Sequence, residues 1–175
     1  MPSSNSQTTC ITLETYLCAA KDFIELSAKF MDEWTIHQDH SERLYTHLKK
    51  EDFITHVDDT GKETLFRAEY AIFYNLSYGV PSFSFNVWDC TGKLLTLEEV
   101  RGISPMNIST KDFYSVVTQQ EHPVFHRPYF IIHPCHTAEL LSMFKKSSKN
   151  IIITFLSLIT PLIQLKLPLE YGLSS

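Results

Sequence analysis

The chain has 175 residues, 43% hydrophobic and 13% aromatic, with 5 Gly and 8 Pro. That length fits one domain able to bury a core without disulfide or metal, and the aromatic content excludes a disordered chain. The net charge of −5 argues against a broad nucleic-acid-binding face.

Residues 1–10 lack the basic start and apolar run of a signal peptide and are expected to form a flexible tail, leaving 11–175 as a single domain. Leu13, Tyr16, Leu17, Ala20, Phe23, Ile24, Phe30, Met31 and Trp34 recur at helical spacing, which predicts an amphipathic helix over roughly 11–34. The period then changes. A short strand is expected around 53–57, and Ala68, Tyr70, Ile72, Tyr74, Leu76 and Tyr78 alternate with a second set that includes Arg67, Glu69, Asn75 and Ser77. That is a long strand with one buried face. Gly79-Val80-Pro81 supplies turn chemistry, and Phe83, Phe85 and Val87 alternate with Ser82, Ser84 and Asn86 on the return strand. A short strand over 93–95 extends the meander.

Thr96-Leu97-Glu98-Glu99 has the spacing of a capping box and predicts a short helix. Residues 103–128 read as irregular, with Pro105, Pro123 and Pro128 and one apolar patch from Phe113 to Val117. Tyr129-Phe130-Ile131-Ile132 is extended and runs into His133-Pro134-Cys135-His136-Thr137, after which 138–146 is expected to be helical, with Glu139 in the first turn and Lys145 and Lys146 in the last. The apolar stretch 151–165 is interrupted by Thr154, Ser157, Thr160, Pro161 and Gln164, too polar for a membrane span, and predicts a core helix or strand. The order of elements is α+β with an antiparallel sheet.

Of the four cysteines, Cys10, Cys18, Cys90 and Cys135, none forms a CxxC pair, which predicts reduced thiols in a cytosolic or nuclear setting. Cys135 differs from the rest. His133 precedes a proline and is biased to extended backbone, and Pro134 fixes its own φ, so the thiol is presented from stiff backbone near a helix start. Two flanking histidines make a thiolate nucleophile chemically reasonable, against the alternative of a buried structural cysteine. His122 and His126 are four apart, a spacing that aligns metal ligands only on a helix, and Pro123 opposes one there. The histidines at 37, 40, 47 and 56 show no shared purpose. A cysteine phosphatase would need Arg where Leu141 stands, and five scattered glycines make no phosphate loop.

His133-Pro134-Cys135-His136-Thr137, placed after a meander containing Tyr74-Asn75-Leu76-Ser77-Tyr78, Pro81 and Trp88, resembles the active-site segment of the autophagy E2-like conjugating enzymes. The resemblance covers most of 12–165 and is to the short branch of that family, since there is no room for the long insertion of autophagy-related protein 3. It implies an E2-like fold and no cofactor, the ATP being used by the E1. It also implies that Cys135 takes the ubiquitin-like autophagy-related protein 12 as a thioester from the E1-like autophagy-related protein 7. The acceptor is then a lysine of autophagy-related protein 5, and the setting is cytoplasmic. By position Cys135 matches the thioester-forming residue and Tyr78 a tyrosine of the catalytic site; His133 is assigned to the same site. Ubiquitin E2 enzymes carry a His-Pro-Asn motif whose Asn stabilises the oxyanion, and none occurs here. Tyr78 and His133 are the candidates for that task, with Asn75 and Asn107 behind them, while His136 is placed to lower the thiol pKa. Two other readings stay open: an E2-like binding module without reactivity at Cys135, and a Cys–His hydrolase.

Overall fold

The computed structural model describes residues 10–39, 41–103, 110–135, 137, 138, 141, 148–163 and 165–174. Of the expected tail over 1–10, residues 1–9 lie outside the described residues, as do His40, Asn107, His136, Glu139, Lys145 and Lys146, while Cys10 is held against the Tyr78 carbonyl.

Thr12 opens the first helix by accepting the Thr15 N–H at 3.1 Å, and α1 runs Leu13–Phe30. Met31, in the left-handed region at φ 55°, stops it. Trp34, which the spacing placed inside the helix, therefore lies beyond it, yet stays buried with its ring edge-on to Phe23 at 5.7 Å. An apolar period survives the end of a helix when the chain doubles back onto the same core.

Six antiparallel strands follow: β1 (Thr35–His37), β2 (His47–Val57), β3 (Glu63–Asn75), β4 (Val80–Trp88), β5 (Val117–Glu121) and β6 (Pro128–Ile132), in spatial order β1-β2-β3-β4-β6-β5. The expected strand at 53–57 is the end of the longer β2, and the one at 93–95 is only a bridge from Leu94 to Trp88. The β3–β4 hairpin is as predicted, but its turn is Leu76–Gly79 and Val80-Pro81 already belong to β4.

One sheet face carries Leu48, Ile54, Tyr70, Ile72, Phe83, Phe85, Phe130 and Ile132 into the main core. The other was expected to face water. Instead the turn between β5 and β6 folds Phe125 over Phe73, Tyr129 and Ile131, and Ser82, Ser84 and Asn86 are buried as well. β3 and β4 are thus covered on both sides along much of their length.

The capping box forms as read: the Glu99 carboxylate accepts the Thr96 N–H at 2.7 Å, the Thr96 hydroxyl accepts the Glu99 N–H at 3.2 Å, and α2 runs Leu97–Ile103. The segment read as irregular contains α3 (Thr110–Val116) and β5. Asn150 caps α4 (Ile151–Ile163), its amide oxygen accepting the Ile152 and Ile153 N–H groups while its NH₂ donates to the Ala19 carbonyl at 2.9 Å. A short α5 (Glu170–Ser174) stacks Tyr171 on Phe23 and lets its hydroxyl donate to Asp32, which is paired with Lys50 at 2.5 Å. Among the described residues no helix is long and apolar enough to cross a membrane.

Candidate functional site

β6 ends at Ile132, and the His133 N–H donates to the Val116 carbonyl at 2.7 Å, anchoring the residue that follows the strand. Pro134 and Cys135 then take helical conformation. A proline is well suited to a first helical position, where its missing N–H has no partner to lose. His133 stands at the cap: its Nδ1 accepts the Cys135 N–H at 3.3 Å and lies 2.6 Å from the Cys135 sulfur. A nitrogen accepting a backbone N–H holds a lone pair there, so these bonds assign the ring proton to Nε2 and make the thiol the donor toward Nδ1. Cys135 is exposed, which removes the buried-cysteine alternative.

Tyr78 was expected at the end of the long strand on its buried side. It sits instead in the turn, 40% exposed, because the ladder ends at Asn75 and Leu76 leaves the core with it. Its ring meets the His133 ring edge-on with centroids 6.0 Å apart. Cys135, His133 and Tyr78 are thereby gathered at one place from two distant parts of the chain. Asn75 is not directed at the thiol; its side-chain oxygen accepts the Tyr78 N–H at 3.2 Å. The sequence reading missed this support, although Asn three residues before Tyr78 and four before a glycine is a recognisable turn signal.

Elsewhere two of the remaining histidines meet. His37 and His47 lie opposite each other in the β1–β2 register and stack at 5.1 Å, and His47 also meets the Phe125 ring. Burial lowers the His47 pKa. His122 is fully buried against Phe73, Phe125 and Tyr129. Its Nδ1 accepts the Val124 and Phe125 N–H groups at 3.1 and 3.3 Å, and desolvation pushes its pKa down to about 3. That nitrogen is committed, and among the described residues no group of three His, Cys, Asp or Glu side chains could hold a metal ion. Glu69, also buried, receives Lys49 at 2.9 Å and Arg127 at 3.0 Å together with the Tyr129 hydroxyl. Burial works to raise this carboxyl, and the bonds from Tyr129 and Lys49, with the charge of Arg127, outweigh it and hold its pKa low.

Residues 3–170 match the family model described as the autophagocytosis associated protein, active-site domain. The ubiquitin-like-conjugating enzyme ATG10 of Homo sapiens is 31% identical over 126 residues, covering 66% of this chain and 57% of that protein. Its counterpart of the same name in Arabidopsis thaliana is 26% identical over 137 residues, covering 70% and 61%. The chain therefore spans little more than half the length of these relatives. The crystal structure of the autophagic E2 Atg10 matches with a TM-score of 0.50 over 88% of this chain and 94% of that one; at 12% identity this supports the E2-like α+β fold alone. The resemblance read from the motif is borne out, and it is to autophagy-related protein 10 in particular. With nearly its whole length under one family model, the chain belongs to the family of the autophagocytosis-associated active-site domain.

Proposed function

We propose that the chain is an E2-like conjugating enzyme of the cytoplasm. It takes the ubiquitin-like autophagy-related protein 12 from the E1-like autophagy-related protein 7 as a thioester on Cys135, and passes it to a lysine of autophagy-related protein 5. The observation that carries this reading is an exposed thiol 2.6 Å from an imidazole nitrogen holding a lone pair. The Cys135 proton moves to His133 Nδ1 as sulfur attacks the acyl carbon of the E1 thioester; the tetrahedral adduct collapses, and the leaving E1 sulfur takes that proton, which returns His133 to its neutral form. In the second step the acceptor amine, as its neutral form, attacks the Cys135 thioester. The isopeptide bond forms, the Cys135 thiolate leaves, and the amine proton is accepted by the released imidazole or by water. Nδ1 of neutral His133 is turned to the sulfur with its ring proton on Nε2, and we take Tyr78, with its hydroxyl, as the candidate for the oxyanion.

The test is a charging assay with the E1, the modifier and ATP, read on reducing and non-reducing gels for wild type, Cys135→Ala and Cys135→Ser. A thiol-sensitive adduct that vanishes with Ala and becomes thiol-resistant with Ser is expected. No adduct from folded protein beside a charged E1 would overturn the enzyme reading in favour of a binding module. Burst acylation by a small ester without the E1 would favour a hydrolase.

A further inference from the structure

The turn that carries Tyr78 is bonded at every backbone polar atom of its last two residues. The Tyr78 N–H donates to the Asn75 side-chain oxygen at 3.2 Å, and the Gly79 N–H to the Asn75 carbonyl at 2.8 Å. From the other side the Cys10 thiol donates to the Tyr78 carbonyl at 3.3 Å and the Ile11 N–H to the Gly79 carbonyl at 2.7 Å. The Tyr74 hydroxyl in turn donates to the Ile11 carbonyl at 2.8 Å, tying this lead-in strap to β3. Gly79 is at φ +60°, and a Cβ there would sit 2.8 Å from the Cys10 Cβ, so strap and turn are fitted face to face.

In an exposed turn water would satisfy these groups, and fixing two residues costs conformational entropy. The core does not account for that cost, because Leu76 is 67% and Tyr78 40% exposed. What the bonds do hold is the edge-on placement of the Tyr78 ring against His133. We infer that Asn75 is a positioning residue: through its bond to the Tyr78 N–H, opposed by the Cys10–Ile11 strap, it fixes Tyr78 on His133 and so governs the rate at which the Cys135 thioester reacts. The inference rests on the function proposed above and adds to it the residue that aligns the site.

The experiment follows discharge of the charged protein onto free lysine in single turnover, for Asn75→Ala, Asn75→Asp, Tyr78→Ala and the double variant Asn75→Ala/Tyr78→Ala. Loss of one hydrogen bond predicts a slowing of about three- to tenfold for Asn75→Ala, with Asn75→Asp, which keeps an acceptor, restoring most of it. In the Tyr78→Ala background the Asn75 substitution adds nothing. Equal slowing in both backgrounds, or no rescue by Asp, overturns the inference. If Asn75→Ala melts below the assay temperature, Asn75→Leu against Asn75→Asp gives the same comparison at nearly constant shape. A second readout needs no activity: NMR of the His133 ring protons, displaced by the Tyr78 ring current in wild type. They shift toward ordinary positions in Tyr78→Ala and Asn75→Ala and stay in Asn75→Asp. A wild type that never charges sinks the enzyme reading, and unchanged His133 signals in Asn75→Ala sink the positioning role separately.

Discussion

Acid should loosen this fold, and His122 supplies a separable part of that effect. Its Nδ1 already accepts two backbone N–H groups, so protonating it sets a third proton against Val124 and Phe125 and breaks both bonds, within a cage of aromatic rings. The folded-state pKa of about 3 lies below the unfolded value of 6.5, the depressed direction for a base. At pH 7 both states are neutral and the residue costs nothing. Below pH 6.5 the unfolded chain binds a proton that the folded chain does not, and stability falls by about 1.4 kcal/mol per pH unit until about pH 3. At pH 5 the loss is about 2 kcal/mol. The perturbation is His122→Asn, which keeps an acceptor for the two N–H groups as an Asx turn but cannot titrate. It lowers stability outright by removing a ring from the cluster, so the quantity to compare is the change with pH. Urea unfolding at pH 7 and pH 5 should show wild type losing about 2 kcal/mol more than the variant. His47, whose pKa burial also lowers, is present in both proteins. Equal pH dependence in the two proteins would refute the account.

His133→Gln should slow charging at pH 7 by roughly 10²–10⁴-fold, with the gap narrowing toward pH 9 where a thiol ionises unaided; single-turnover transthiolation measured across that range checks both parts. Gly79→Ala places a side chain in the left-handed region and against Cys10, at a cost of about 1–2 kcal/mol for the backbone alone, so the melting temperature should fall by roughly 2–8 °C in calorimetry. Lys50→Met leaves the buried Asp32 carboxylate without its cation and should destabilise by about 3–5 kcal/mol in urea unfolding, far more than loss of the exposed pair between Arg43 and Glu14.

The cysteine segment, the capping box and the alternating hairpin were legible because each is set by neighbours in sequence. Thr96 and Glu99 satisfy one another across three residues, and Pro134 stiffens the backbone next to the cysteine. β2 was mostly invisible for the opposite reason. Lys49, Lys50, Glu51 and Asp52 carry no apolar alternation, yet Lys50 is buried on Asp32 and Lys49 reaches Glu69 on β3. Charges whose partners lie elsewhere in the chain hide a strand from any local pattern. Likewise Ser82, Ser84 and Asn86 look like a wet face yet are buried, Asn86 donating to the Pro128 carbonyl. Tyr78 was misplaced because Leu76 and Tyr78 happen to continue the alternation past the last paired residue, where Asn75, through a bond no periodicity can show, bends the chain.

Those misplacements bear on how the proposed reaction divides its tasks. An Asn in the family pattern of ubiquitin E2 enzymes is an oxyanion donor near the cysteine, and here the described asparagines are engaged elsewhere. Asn75 holds a turn, Asn86 donates to the Pro128 carbonyl under the second sheet face, and Asn150 caps α4. His133 faces the sulfur with an accepting nitrogen, which suits proton removal, while its remaining N–H is on Nε2. Among the described residues we therefore take the phenol of Tyr78 as the proposed donor. A phenol serves only if its direction is fixed before charge develops, since reorienting it during the reaction forfeits the electrostatic gain. It must also stay open enough for an acceptor amine to approach. An exposed side chain on a turn whose Tyr78 and Gly79 backbone groups are all bonded is held at its base and open at its tip, which a residue within the buried strand would not be.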